Sequence, residues 1–160
     1  MSFFERTYGE ITDLDFMNQE INNIILLNHI NIQDYIFYDF GSGYGKIIQF
    51  FSQFYKKSIG IEIDEERYTK SLMYANNICE FYNMNFFDVN IESSCVILIN
   101  NLCLGVGTNK RLSYKLLEEC KKYDIIILTK QMPALQKYYL YFKTVKCTWG
   151  PSELYFYLIT

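Results

Sequence analysis

Apolar residues recur at spacings of three and four between residue 12 and about residue 30, at Phe16, Met17, Ile21, Ile24 and Ile25. This predicts an amphipathic helix, and Thr12 with Asp15 has the form of a capping box at its start. Residues 35–40 form a short apolar run stopped by glycines, and residues 46–55 resume at helical spacing with Ile47, Ile48, Phe50, Phe51 and Phe54. The order is strand, turn, helix. Residues 58–62 predict a second strand, residues 65 to about 81 a second helix, and residues 83–87 a weak third strand. Residues 95–99 (CVILI) are apolar throughout, as a strand buried on both faces should be. A helix over 110–122 and a buried strand over 124–128 follow. Strands alternating with helices of this length predict an α/β fold, a doubly wound Rossmann-like sheet, mostly parallel. After Pro133 the pattern changes to two strands, 138–147 and 154–159, joined by a turn at Gly150-Pro151 into a C-terminal antiparallel hairpin. With no repeat, low-complexity linker or boundary, residues 1–160 are expected to form a single domain.

Composition narrows the function classes. Half of the 160 residues are apolar, enough for a real core. A net charge of -3 and a pI near 5.2 leave no strong nucleic-acid footprint. Five cysteines without a C-x-x-C pair argue against both a disulfide framework and a zinc site, and for a reducing compartment. The N-terminus carries charges where a signal peptide needs an apolar stretch, and no segment approaches the ~20 apolar residues of a membrane span. The expectation is a soluble, intracellular protein that neither spans a membrane nor takes a metal.

Residues 37–51 read FYDFGSGYGKIIQFF, with Asp39 ahead of Gly41, Gly43 and Gly45. At the end of the first strand of a doubly wound sheet, glycines let a ligand approach the backbone closely. The dinucleotide fingerprint G-x-G-x-x-G is not matched, because the spacing is G-x-G-x-G. Asp39 would repel a pyrophosphate but suits a sulfonium or amino group. Glu62, at the end of the second strand, is placed to accept two ribose hydroxyls, and Asp88, past the third strand, to reach an adenine amino group. Together they describe a pocket for S-adenosylmethionine and its product S-adenosylhomocysteine. The plainer alternatives are a turn without a ligand, a solvated strand end at Glu62 and a turn residue at Asp88. His29, near a helix end, is assigned no role, and Tyr138, Tyr139, Tyr141 and Phe142 are read as strand packing.

The blocks RTYGEIT, YDFGSGYGK, SIGIE, VILINNLCLG and VKCTWGPSELYFYL, in that order, resemble the Disruptor of telomeric silencing (Dot) family of histone lysine methyltransferases. The resemblance implies the class I methyltransferase fold. It also implies that Tyr8, Gly9 and Glu10, within a loop over residues 1–12, cover the methionine end of the cofactor. Asp39, Gly41, Ser42 and Gly43 correspond to the family's glycine loop, Glu62 to its ribose carboxylate, Asp88 to its adenine-side acid, and Asn100 and Asn101 to its Asn-Asn pair. Trp149 with Tyr155 or Phe156 correspond to the aromatics that wall the lysine channel. Lys46 stands beside the cofactor loop where the family has Gln, and Leu102 and Leu104 stand where it has aromatics. The implied activity is methyl transfer to a histone lysine, with Asn100, Trp149 and Tyr155 at the reacting end. The alternatives are the same fold acting on another protein lysine or a small molecule, or a cofactor-binding subunit without turnover. The compartment would be the nucleus if the substrate is chromatin, and otherwise the cytoplasm.

Overall fold

The computed structural model describes residues 9–160. Its centre is a seven-stranded sheet made of β1 (Ile36–Phe40), β2 (Lys57–Glu62), β3 (Cys79–Asn83), β4 (Cys95–Ile99), β5 (Ile125–Leu128), β6 (Tyr139–Cys147) and β7 (Gly150–Leu158), in the order β3-β2-β1-β4-β5-β7-β6. The first five strands are parallel, and β7 runs antiparallel to both β5 and β6. The helices are α1 (Leu14–Leu27), α2 (Lys46–Phe51), α3 (Glu65–Ser71) and α4 (Val106–Glu119). No helix among the described residues is long and apolar enough to cross a membrane.

Strand alternation divides the core in two. Phe37, Leu98, Ile127 and Phe156 pack on one face with Met17, Ile21 and Ile24 of α1 and Ile48 and Phe51 of α2. Tyr38, Ile97, Ile126 and Tyr157 pack on the other with Leu112 and Leu116 of α4. Both faces are covered, which is why β4 and β5 are apolar at every position. The order reverses between β1 and β4, opening a crevice at the carboxyl ends of the strands.

Five local expectations are corrected. The helix expected over 65–81 ends at Ser71 and a short 3-10 turn, Leu72–Tyr74, and the third strand is Cys79–Asn83 instead of 83–87. Cys79 and Phe81 point into the core, Glu80 pairs with Lys57 of the neighbouring strand, and Asn76 Oδ1 accepts from the amides of Ile78 and Cys79 to break the helix. Asn85 Oδ1 accepts from Phe87 N and turns the chain into the 3-10 segment Phe86–Asp88. The cap of α1 is Asp13, which accepts from Phe16 N, whereas the Thr12 hydroxyl donates to Lys146 O. The hairpin turns at Thr148-Trp149, because Gly150 and Pro151 already pair with Cys147 and Lys146. Finally, α4 begins four residues earlier than its apolar spacing suggests, at Val106, whose side chain is exposed and contributes no period.

The reassigned strand has a measurable consequence. Phe81→Ala should cost about 3–5 kcal/mol in urea unfolding, as a buried aromatic truncation. Phe87→Ala, on the half-buried 3-10 turn, should cost about 1 kcal/mol. The reverse order would restore the strand at 83–87.

Candidate active site

The glycine turn after β1 is fixed from two sides. Gly41, Gly43 and Gly45 all have positive φ (91°, 57° and 90°), the region L side chains avoid. Gly41 N and Ser42 N both donate to Ile61 O, at 2.7 and 3.0 Å, and Gly43 N donates to Glu62 Oε1 at 2.8 Å. The end of β2 therefore holds the turn open. Gly60, opposite Asp39 in the sheet, has a separate reason to lack a side chain: a Cβ there would lie 2.6 Å from Ser42 Oγ. Ser42 Oγ is itself buried without a hydrogen-bond partner.

The acids gather beneath this turn. Asp39 is 3% exposed, and its carboxyl is pushed up to about 8, first by burial and then by Glu62 and Glu10. Glu62, 4% exposed, accepts from Gly43 N through Oε1 and from Asp64 N through Oε2 at 2.9 Å. Arg67 Nε lies 3.6 Å from Glu62 Oε1 and 3.8 Å from Asp64 Oδ2. These residues border a cleft of about 190 Å³ that Gly9, Gly41, Glu62, Arg67, Phe86 and Asn100 help to line. Arg67 is the one cation among the described residues lining it. Phe86 stacks parallel on Phe40, with centroids 5.7 Å apart, and gives the cleft a flat apolar wall.

The other side of the cleft is built by the chain's beginning and end. Residues 9–12 run antiparallel to the end of β6: Thr148 N donates to Glu10 O, Glu10 N to Thr148 Oγ1 and Thr12 N to Lys146 O, and Ile11 bridges to Cys147. Trp149, 41% exposed, lies so close over Gly9 that a Cβ on Gly9 would come within 2.4 Å of its ring. Asn100 Nδ2 donates to Gly9 O at 3.3 Å, and its Oδ1 accepts from the Thr129 hydroxyl at 2.8 Å. Asn101 is fully buried and turned the other way. Its Oδ1 accepts from Thr129 N and Lys130 N, and its Nδ2 donates to Lys130 O and Asn109 Oδ1.

Gly9, Gly41, Glu62 and Asn100 thus come together on one cleft, with Asp39, Ser42 and Gly43 buried next to its residues in the glycine turn and Glu10 close enough to act on Asp39. Trp149 joins them through Gly9. Three expected residues are not among those lining the cleft. Lys46 is exposed at the start of α2 and lines a separate groove with Gln49, Phe50 and Tyr74. Asp88 is exposed at the end of its 3-10 turn, and Phe86 of the same turn lines the cleft in its place. Tyr155 pairs with Leu128 at the carboxyl edge of β5, and its ring meets those of Tyr139 and Phe142. Tyr8 lies outside the described residues. Sequence reasoning missed Arg67, Phe86 and Thr129. Arg67 stands five residues after Glu62, one helical turn past the cap at Asp64, and that spacing was a usable signal.

Residues 1–147 match the family described as "Histone methylation protein DOT1". A histone-lysine N-methyltransferase specific for lysine-79 of histone H3, from Caenorhabditis elegans, is 28% identical over 156 residues, covering 85% of this chain. The chain spans only 16% of that relative's length. An RNA methyltransferase from Salinibacter ruber, solved with S-adenosyl-L-homocysteine, superposes with a TM-score of 0.60 at 21% identity, over 88% of this chain and 90% of that one. A magnesium protoporphyrin IX methyltransferase from Synechocystis, solved with bound cofactor, gives 0.70 at 10% identity over 92% and 79%. The likeness to these two structures establishes a shared class I methyltransferase fold.

The Asp39 carboxyl yields a stability prediction. Its folded value, about 8, lies above the ordinary unfolded value of about 3.9, so the folded chain holds this proton more tightly and loses stability as pH rises through that window. Asp39→Asn should match wild type below about pH 4 and exceed it by at least about 1 kcal/mol near pH 8. Urea unfolding at both ends of the window checks this, and a variant less stable than wild type near pH 8 would contradict it.

Proposed function

The chain belongs to the DOT1 histone methylation family, and on that premise we propose that it is an S-adenosylmethionine-dependent protein-lysine N-methyltransferase whose acceptor is a histone lysine. The observation that carries the reading is the acid-floored glycine turn. A buried carboxyl at Asp39, a second at Glu62 and the unpartnered Ser42 Oγ supply acceptors for a cationic amino-acid end and for ribose hydroxyls. A pyrophosphate would meet like charge there. The residues therefore fit S-adenosylmethionine, which when bound supplies an electrophilic methyl group on a sulfonium centre.

The chain's own contribution is binding, orientation and exclusion of water. Asp39 ionises when a cation replaces the solvent it lacks, which offsets the burial that raises its pKa. Glu62, already oriented by Gly43 N and Asp64 N, keeps a lone pair on each oxygen for the ribose hydroxyls. Asn100, anchored by Gly9 O and Thr129, presents its second N–H and its remaining oxygen lone pair to the incoming amine. Trp149 walls the approach, and in our reading Tyr155 continues that wall. An apolar channel favours the uncharged lysine, which is the nucleophilic form. Tyr155's phenol is pushed up, first by burial and then by Glu153 and Tyr139, so it stays protonated and is no base. The amine's proton is lost to solvent, and alignment supplies the acceleration.

The acceptor end gives the second reading its support. Leu102 and Leu104 follow the Asn pair, and Leu104 lines the cleft, so an aliphatic rim would meet the acceptor. A lysine in another protein fits that rim as well. A histone acceptor would place the protein in the nucleus.

Labelled S-adenosylmethionine incubated with histones, nucleosomes and whole-cell extract tests the proposal. Label should appear on histone lysine, and label on no protein would overturn the reading. Trp149→Ala should lower kcat about tenfold or more while changing cofactor affinity less than about threefold, because its ring borders the acceptor path. Equal losses in both would assign it a packing role. With a net charge of -3, few phosphates are neutralised at once, so activity on free histone should equal or exceed that on nucleosomes. A nucleosome dependence steep in salt, with a slope near -0.9 per phosphate, would contradict this.

A further inference from the structure

A second concavity lies beside the cleft, between the first half of α4 and the segment that follows β5. Its volume is about 450 Å³. Met132 forms a buried floor, and Val106, Tyr114 and Pro133 line the walls, with Val106 81% and Tyr114 55% exposed. Exposed apolar side chains gathered around a groove mark an interaction surface more often than a solvated face. Among the described residues the only charged side chains lining it are Lys110 and Lys130, and neither ammonium is in an ion pair with them. In a chain of net charge -3, this is a local reversal of sign.

We propose that this groove docks an acidic, apolar segment of the protein substrate, a second holding point besides the transfer site. The proposal rests on the lysine methyltransferase reading. Apolar side chains of the segment would enter over Met132 between Val106 and Tyr114, and its carboxylates would meet Lys110 and Lys130. A nucleic acid fits less well, because two lysines neutralise few phosphates and the floor is apolar. The assignment to the acceptor follows from how the walls are tied. Asn101 Nδ2 donates to Asn109 Oδ1 and to Lys130 O, each at 2.9 Å, joining the two walls. Asn109 Nδ2 donates to Leu104 O at 3.0 Å, and Leu104 lines the cleft that Asn100 borders. A segment seated in the groove would thus rest on the same hydrogen-bonded loop that Asn100 belongs to.

The test uses the full chain without cofactor and a short dye-labelled peptide of alternating glutamate and leucine. The controls are the same peptide with lysine for glutamate, the same with serine for leucine, and a dye-labelled single-stranded oligonucleotide. Fluorescence anisotropy should show saturable binding of the glutamate–leucine peptide and weaker binding of every control. The double variant K110E/K130E, on exposed positions, should weaken it about tenfold or more at unchanged melting temperature. In methyl transfer, the same variant should raise KM for an intact protein acceptor carrying such a segment, leave kcat unchanged, and leave a short lysine peptide lacking it unaffected. No saturation, unchanged binding by the variant, or tighter binding of the oligonucleotide would overturn the proposal. Methyl transfer to protein without peptide binding would overturn the groove alone, whereas peptide binding with no transfer to any protein would overturn the transferase reading.

Discussion

A carboxyl group kept from water near the end of β1 governs the rest of the site. Asp39 lies between Gly60 and Leu98 in the sheet register, beneath a turn whose three glycines have positive φ. Its environment disfavours charge strongly enough to hold the proton near neutrality. A fold optimised for stability alone would place an apolar or amide side chain there. On the proposed function, a buried acid that a cation would relieve serves instead as a binding device, its burial offset when a cation is bound. Gly60 has no side chain so that Ser42 can fit, and Glu62 holds Gly43 by its amide, so the surrounding residues keep the turn clear of its own atoms.

The cleft's second side depends on the two ends of the chain meeting. Residues 9–12 are pinned to the β6–β7 hairpin by backbone bonds, and Trp149 closes over Gly9, whose carbonyl Asn100 takes up. The segment 9–12 and the β6–β7 turn are therefore one mechanical unit, which in the proposed function would serve both cofactor and acceptor. The two neighbouring asparagines divide the work: Asn100 faces the cleft, while Asn101 is spent on joining the loop after β4 to the segment after β5.

Much of the architecture was legible because burial on both faces leaves an unambiguous mark, as in CVILI. The glycine turn was legible because glycine is the residue type that takes positive φ without steric cost, and three such positions fall within five residues. The third strand was misplaced because Cys79 and Phe81 also continue the helical spacing of the segment before them, and only pairing with β2 decides between the two. Asp88 was chosen for its charge, whereas the cleft takes Phe86, whose value lies in stacking on Phe40. Such a contact between distant segments has no local signature. Lys46 stands where the family has Gln, but at the start of α2 it is exposed and lines a separate groove.

Calorimetric titration of the chain with S-adenosylmethionine, S-adenosylhomocysteine and a nicotinamide dinucleotide tests the central claim most directly, with Glu62→Ala in parallel. The account predicts that both adenosyl ligands bind, that binding below about pH 8 releases a proton as Asp39 ionises, and that Glu62→Ala loses most of the affinity. A dinucleotide that binds more tightly than S-adenosylmethionine, or adenosyl binding indifferent to Glu62, would contradict it.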